Sequence, residues 1–184
     1  NCTLCSQISD WELIGTASDF GTDTFAFVGI DKLHSKLAVV FRGTHPVDPL
    51  SLITDLRGTV LVKPPSSIPL SGVKVGEGFL AGEQSVSSTL HALVKTAAQK
   101  KPRSYDGFIF AGHSLGGAEA ALGIADLVPS DSWNSVTLIT FGSPRVGDES
   151  FAHWTESSLL ASYRITHRHD MVPHLPFYSF GFRH

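Results

Sequence analysis

The chain of 184 residues is 42% hydrophobic and 17% charged, which suits one folded domain and excludes an intrinsically disordered chain. Its 14 basic and 17 acidic residues give a net charge of −3, so no basic surface is available for a nucleic-acid backbone. No apolar run approaches the roughly 18 residues that a transmembrane helix needs. We therefore expect one domain over residues 1–184, with neither a membrane span nor a nucleic-acid partner.

Two cysteines lie at the start of the sequence, beside the glycosylation sequon Asn1-Cys2-Thr3. One pair cannot complete a four-cysteine zinc site, and no pair of histidines follows at finger spacing. A redox dithiol is expected between a strand and a helix of a thioredoxin-like unit, which this segment does not offer. We interpret Cys2 and Cys5 as a local disulfide of a secreted glycoprotein, and a redox role as a distant alternative.

Segments of strand and of helical character alternate along the chain. Short runs rich in apolar residues predict strands at residues 24–30, 36–42, 107–111, 135–141 and 163–166. Several are continuously apolar, which is typical of a sheet covered on both faces. Helical patterns cover residues 77–100, 115–128 and 148–160. The alternation predicts an α/β fold with a mainly parallel central sheet and helices on both faces.

The first predicted helix has a single apolar face. Its apolar residues recur at steps of 7, 4, 3 and 4, at Phe79, Val86, Leu90, Leu93 and Ala97. Residues 44–70 differ, because they hold five of the ten prolines and mix apolar with polar side chains. A loop of this length inside a compact domain is usually functional and is often a lid.

The pattern Gly112-His113-Ser114-Leu115-Gly116 matches G-x-S-x-G in its expected context. An apolar strand precedes it, and a helix rich in alanine follows it. Small residues on either side allow the sharp turn that presents a serine in a strained conformation. Ser114 is therefore a candidate nucleophile at a helix N-terminus, where the backbone N–H of Leu115 can point at an oxyanion.

A serine nucleophile needs a histidine base and a carboxylate that orients it. In this architecture the chain order is serine, acid, histidine. Asp170 follows the predicted strand at residues 163–166 and is our candidate acid. Asp148 is the alternative, although its position better suits the N-cap of the next helix.

Several motifs, in order along the chain, resemble those of the fungal class 3 lipases of the α/β-hydrolase fold. They are Phe-Arg-Gly-Thr at residues 41–44, Val-Gly-Glu-Gly-Phe-Leu at 75–80, Gly-His-Ser-Leu-Gly-Gly at 112–117, the segments 140–148 and 163–176, and Phe-Gly-Phe at 180–182. The resemblance covers nearly the whole chain. It implies that Ser114 is the nucleophile, Asp170 the acid, and Thr44 and Leu115 the oxyanion-hole residues.

The resemblance also implies a mobile lid at about residues 45–56, and some members share a short-range disulfide like Cys2–Cys5. Leu52 stands where the family often has tryptophan, in a segment about two residues longer than usual. The apolar side chains of this lid fit a cover that opens onto a lipid surface: Val47, Leu50, Leu52 and Ile53.

The histidine base is not identified. Only His174 and His184 follow Asp170, and both match family histidines other than the base, which lies farther toward the C-terminus. We expect that this chain lacks the family's terminal segments and that the base lies beyond it. His184 is a weak alternative, because a terminal ring is difficult to orient. His167 and His169 are interpreted as surface residues, and His113 as packing at the elbow.

Together these features predict a secreted serine lipase that hydrolyses acylglycerol esters at a lipid–water interface through an acyl-enzyme on Ser114. No motif implies a metal or an organic cofactor. An esterase for soluble or feruloyl-type esters is one alternative, for which a more polar lid is expected. A catalytically dead lipid-binding module is the other, if no triad histidine exists.

Overall fold

The computed structural model describes residues 9–44, 60–100 and 105–184. Several residues singled out in the sequence lie outside these ranges: Cys2, Cys5, Val47, Leu50, Leu52 and Ile53. The predicted disulfide and the predicted lid therefore stay predictions.

The described residues form eight strands and three α-helices. The strands are β1 (Trp11–Asp19), β2 (Thr24–Asp31), β3 (Lys36–Phe41), β4 (Leu61–Val62), β5 (Val75–Gly76), β6 (Gly107–His113), β7 (Val136–Phe141) and β8 (Ala161–Ile165). The helices are α1 (Glu77–Gln99), α2 (Leu115–Leu127) and α3 (Glu149–Ser157). Short 3-10 turns cover Ser130–Ser135, Val172–His174 and Tyr178–Phe180. All predicted strands and helices are confirmed, with ends shifted by a few residues.

Six strands form one sheet in the order β1-β2-β3-β6-β7-β8. β3, β6, β7 and β8 run parallel, whereas β1 and β2 add an antiparallel edge. The sequence pattern did not predict β1. On the face of β1 that lies toward α1, the residues are small: Gly15 packs against Leu93, and Ala17 is buried. A strand with glycine and alanine on its covered face gives little apolar periodicity.

All three described helices pack against the same face of the sheet. Phe41 and Phe110 on that face contact Gly123 of α2, and α1 covers β1 and β2. A small cavity is lined by α2, β7, β8 and α3 together, which places α3 on this side as well. The core is therefore a single layer of side chains between the sheet and these helices.

The opposite face is apolar and only partly covered by the described residues. Val40 and Phe27 are half-buried there, while Phe141 and Tyr163 are 44% and 56% exposed. The sequence analysis predicted helices on both faces of the sheet. Within residues 9–44, 60–100 and 105–184, no helix lies on this second face. The carboxyl ends of β3, β6, β7 and β8 meet at one edge of the sheet, and the candidate site lies there.

Candidate active site at the carboxyl edge of the sheet

Ser114 lies on a sharp turn between β6 and α2. Its φ of 54° and ψ of −128° are a conformation that a residue with a side chain rarely adopts. Two glycines make the turn possible: a Cβ at Gly112 would collide with the Gly116 carbonyl, and one at Gly116 would lie 2.6 Å from the Phe41 carbonyl oxygen. The strand–elbow–helix context predicted from the sequence is confirmed.

The hydroxyl of Ser114 is buried at this turn. The residue is 6% exposed, and its Oγ has no hydrogen-bond partner in the described part of the chain. Its backbone N–H donates to the Phe141 carbonyl of β7 at 2.9 Å, which fixes the elbow to the neighbouring strand. Leu115, the first residue of α2, follows with an N–H at the positive end of the helix dipole.

Gly43 brings the end of β3 against the elbow. A Cβ at Gly43 would lie 2.7 Å from the His113 carbonyl oxygen and 3.3 Å from the Cβ of Ser114. Only a glycine permits this approach, and it carries the next residue, Thr44, to the same edge. A cavity of about 540 Å³ is lined by Gly43, Thr44, His113 and other residues at the ends of β3, β6 and β7. Thr44 itself is exposed.

Asp170 lies in the turn that follows β8. Its Oδ1 accepts a hydrogen bond from the Val172 N–H at 3.0 Å, and its backbone N–H donates to the His167 carbonyl at 3.0 Å. The second oxygen, Oδ2, lies beside Gly142 at the end of β7, on the same side as the His113 ring. The carboxylate therefore has one oxygen held by the backbone and one directed toward the edge where β6 and β7 end.

Asp148, the alternative acid, has a structural role. Its Oδ1 accepts from the Phe151 N–H at 3.0 Å, which makes it the N-cap of α3 as the sequence predicts. Its Oδ2 accepts from the Lys74 N–H, also at 3.0 Å. Both oxygens accept from backbone donors, which assigns Asp148 to holding the start of α3 and the Lys74 backbone.

No imidazole ring of a described histidine hydrogen-bonds to the Ser114 hydroxyl or to the Asp170 carboxylate. His184 lines a different cavity, together with Arg145, Arg164 and Arg183. Burial, together with the positive charges of Arg164 and Arg145, lowers the pKa of His184 to about 4. A ring that resists protonation is a poor general base, so the structure gives His184 little support. The carbonyl of His174 accepts from the Arg145 guanidinium.

Two buried carboxyl groups were missed by the sequence analysis. Glu83 of α1 and Glu119 of α2 are 0% and 1% exposed and lie where the two helices pack. Burial raises the pKa of Glu83 to about 9, with further contributions from Asp126 and Glu119. Burial also raises the pKa of Glu119 to about 8, although a hydrogen bond from the Thr24 hydroxyl acts in the opposite direction.

A signal for Glu83 was present in the sequence. The apolar pattern of the first helix steps by 7 from Phe79 to Val86, which leaves one helical turn without an apolar residue on the buried face. Glu83 occupies that turn. Glu119 stands within an otherwise apolar, alanine-rich helix. A charged residue at a buried helical position is the observation that would have revealed both.

Residues 9–44, 60–100 and 105–184 contain no group of three or more acidic, histidine or cysteine side chains arranged to hold a metal ion. No helix within the same ranges has the length and apolar character needed to cross a bilayer. The arrangement at the sheet edge is a serine on a strained turn, a helix N-terminus, a threonine and a carboxylate. Such a set can support nucleophilic attack on a carbonyl group.

Comparison with known proteins identifies the relatives of this chain. The family model described as lipase (class 3) matches residues 38–180. A lipase of Rhizomucor miehei is 36% identical over the whole chain, and the secreted mono- and diacylglycerol lipase 1 of Fusarium solani is 33% identical over 97% of it. The chain spans about half the length of these relatives, at 49% and 50%.

A solved triacylglycerol lipase, described as having a serine protease triad as its catalytic centre, superposes with a TM-score of 0.85. It is 35% identical, and the match covers 100% of this chain and 68% of that one. The α/β-hydrolase fold expected from the sequence is thereby confirmed. With a family match over most of its length and relatives above 30% identity, the chain is a member of the class 3 lipase family.

Proposed function

We propose that the protein hydrolyses carboxylic esters of acylglycerols through an acyl-enzyme on Ser114. The observation that carries this proposal is the Ser114 elbow, with its positive φ and its position at the start of α2. Strained serine turns of this kind serve to expose a nucleophile rather than to stabilise a fold. Membership of the class 3 lipase family favours acylglycerols as the substrate class.

In the proposed reaction, Ser114 Oγ attacks the ester carbonyl carbon while a histidine accepts its proton. The carbonyl π electrons move to the oxygen, and the backbone N–H groups of Thr44 and Leu115 stabilise the negative charge. The bond to the leaving alkoxide then breaks, and the histidine returns the proton to the alcohol. Water hydrolyses the acyl-enzyme by the same steps. Asp170 would hold the imidazole through Oδ2, because Oδ1 already accepts from Val172.

We propose that the histidine base lies in a part of the protein outside these 184 residues. Two observations support this location. The imidazole rings of the described histidines do not hydrogen-bond to the Ser114 hydroxyl or to the Asp170 carboxylate, and the chain spans about half the length of its relatives. A base supplied from there would have to reach Asp170 Oδ2 beside Gly142, at the end of β7.

The decisive experiment is reaction of the purified protein with a fluorophosphonate probe, followed by intact-mass and peptide analysis. We expect one adduct, on Ser114, together with hydrolysis of a short-chain glyceride, and loss of both in Ser114→Ala. An unlabelled protein that still associates with lipid vesicles would contradict the proposal and favour a lipid-binding module. Faster turnover of soluble aromatic esters than of glycerides, without activation at an interface, would favour an esterase.

We further propose that the protein is secreted, carries a Cys2–Cys5 disulfide and a glycan on Asn1, and covers its site with a lid at about residues 45–56. The support is the sequon, the spacing of the cysteines and the secreted relative from Fusarium solani. Peptide mass spectrometry of the natural protein tests the disulfide and the glycan. Free thiols at Cys2 and Cys5 would contradict the disulfide, and an unmodified Asn1 would contradict the glycan.

A further inference from the structure

Gly142 is the residue of the chain that lies between the proposed nucleophile and the proposed acid. It directly follows β7, and its N–H donates to the Ile165 carbonyl of β8 at 2.8 Å. The preceding carbonyl, that of Phe141, accepts from the Ser114 N–H at 2.9 Å. The backbone of Phe141 and Gly142 is thus hydrogen-bonded to the Ser114 turn on one side and to β8, the strand that leads to Asp170, on the other.

The surface of Gly142 faces the Asp170 carboxylate. A Cβ at this position would lie 2.7 Å from Asp170 Oδ2 and 3.8 Å from His113 Nε2. An atom at 2.7 Å overlaps the carboxylate oxygen, so either Asp170 or the end of β7 would have to move. Asp170 cannot rotate away freely, because its Oδ1 accepts from Val172 and its backbone is bonded to His167.

We propose that Gly142 is a positioning residue. Because it has no side chain, Asp170 Oδ2 can lie directly beside it and is held there for the catalytic histidine. This inference rests on the proposed function, since it assigns Asp170 the role of triad acid. A side chain at Gly142 would displace the carboxylate without touching the substrate. The expected effect therefore falls on the chemical step, seen as a lower kcat with an unchanged KM.

A matched control is available in Gly72. Gly142 and Gly72 both have a positive φ, +55° and +74°, so a substitution at either strains the backbone in the same way. A Cβ at Gly72 would meet no atom within 4 Å, whereas one at Gly142 meets Asp170. The difference between Gly142→Ala and Gly72→Ala thus isolates the contact with the carboxylate from the cost of the conformation.

The kinetic test compares both variants with the wild-type protein on a soluble short-chain ester, after Ser114→Ala has shown that turnover depends on Ser114. We expect Gly142→Ala to lower kcat by about 100-fold, with KM changed by less than about twofold. Gly72→Ala should change kcat by less than about twofold. A kcat for Gly142→Ala within about twofold of that for Gly72→Ala would overturn the proposal.

A double-mutant cycle shows whether Gly142 acts through Asp170. In the Asp170→Asn background, adding Gly142→Ala should lower kcat by less than about threefold, because the group it displaces is already impaired. A further loss of about 100-fold in that background would show that Gly142 acts elsewhere, and would overturn the proposal.

Two measurements keep the proposal testable if Gly142→Ala is unstable or the wild-type protein is inactive. Gly142→Asn carries the same Cβ, and asparagine tolerates a positive φ better than alanine, so it should show the same loss of kcat. A crystal structure of either variant should show the Asp170 carboxylate moved by roughly 0.7 Å, the distance that relieves a 2.7 Å contact to ordinary separation. An unmoved carboxylate would overturn the inference, whereas lack of wild-type turnover alone would count against the proposed function.

Discussion

At the scale of single residues, the site depends on glycines, which have no side chain, as much as on its polar side chains. Gly43, Gly112 and Gly116 allow backbone approaches that any side chain would block, and Ser114 has a positive φ. The chain adopts these conformations because the surrounding strands and helix hold the turn on both sides. Strain of this kind lowers the free energy of unfolding, and it is concentrated at the proposed nucleophile, Ser114.

Replacing Ser114 by glycine should relieve that strain and so raise the free energy of unfolding. We expect Ser114→Gly to unfold with a free energy about 1 kcal/mol higher than Ser114→Ala, because glycine adopts a positive φ without steric penalty. Both variants remove the hydroxyl, so the comparison isolates the backbone. Denaturant titration of the two proteins measures the difference. Equal stabilities would show that the elbow is relaxed.

Thr44 offers a second test at this scale, directed at the proposed oxyanion hole. Thr44→Val removes the hydroxyl and keeps the shape of the side chain, whereas Thr44→Ser keeps the hydroxyl. If the hydroxyl donates to the oxyanion, Thr44→Val should lose about 2.7–4 kcal/mol of transition-state stabilisation, measured as kcat on a soluble ester. Thr44→Ser should stay near the wild-type rate. Similar kcat values for the two variants would restrict the role of Thr44 to its backbone N–H.

At the scale of elements, the loops after β3, β6, β7 and β8 position the site, because parallel strands end at one edge of the sheet. α2 begins at that edge, directly after Ser114. α3 begins close by, but its cap, Asp148, is committed to the backbone. Two aspartates that look alike in the sequence thus belong to different elements and have different roles.

Substitution of the two aspartates should separate those roles. Asp148→Asn can still cap α3 but loses the oxygen that accepts from the Lys74 N–H, so we expect wild-type kcat with a smaller loss of stability than in Asp148→Ala, which should cost about 0.5–2 kcal/mol of unfolding free energy. Asp170→Asn should lower kcat by up to about 10⁴-fold while the protein stays folded, as for other triad aspartates. Ester hydrolysis and thermal unfolding measure both effects. A large loss of kcat in Asp148→Asn would reverse the assignment.

At the scale of the whole molecule, one feature opposes stability: two carboxyl groups are buried where α1 packs on α2. The folded protein keeps Glu83 and Glu119 neutral, since burial raises their pKa values to about 9 and about 8. In the unfolded chain both would ionise near their ordinary value of 4.5. The charged groups that face this pair come from several elements: Asp126 and the other glutamate for Glu83, and Asp23 and Arg42 for Glu119.

The sign of the resulting pH dependence follows from the raised pKa values. Below pH 4.5 the carboxyls are neutral in both states, and the packing contributes fully. Between pH 4.5 and about 8–9 the unfolded state releases protons that the folded state retains, so stability falls by up to about 1.4 kcal/mol per pH unit for each group. Above about pH 9 the carboxyls are ionised in both states, and this dependence ends.

Removing one ionisable group should flatten that dependence. We expect Glu83→Gln to unfold at a higher temperature than the wild-type protein at pH 8, with a smaller difference at pH 4.5. Glu119→Gln should do the same and can keep its hydrogen bond with Thr24. Thermal unfolding across this pH range measures the effect, and Glu77→Gln, on the exposed side of the same helix, is the matched control. If the unfolding temperatures of the wild-type protein and the three variants change with pH in parallel, the raised pKa values assigned to Glu83 and Glu119 are contradicted.

The sequence predicted most elements because their signals are local. Short runs rich in apolar residues identified β2, β3, β6, β7 and β8, and helical patterns identified α1, α2 and α3. β1 was missed, since its covered face consists of small residues and tertiary packing rather than pattern makes it a strand. The buried glutamates were missed although the step of 7 from Phe79 to Val86 marks the position of Glu83, because a charged residue is rarely buried and which helix packs opposite it is not visible in the sequence.

The sequence by itself determined the strained serine turn and the family, because glycine spacing around a serine and motif order are properties of the chain alone. The sequence already favoured Asp170 over Asp148, and only the tertiary structure shows which of their carboxylate oxygens accept hydrogen bonds from the backbone. The tertiary structure alone placed Gly142 against Asp170, residues that lie 28 positions apart in the chain. The two residues meet because β7 and β8 pair in parallel, and a parallel pair joins strands separated by a long crossover connection.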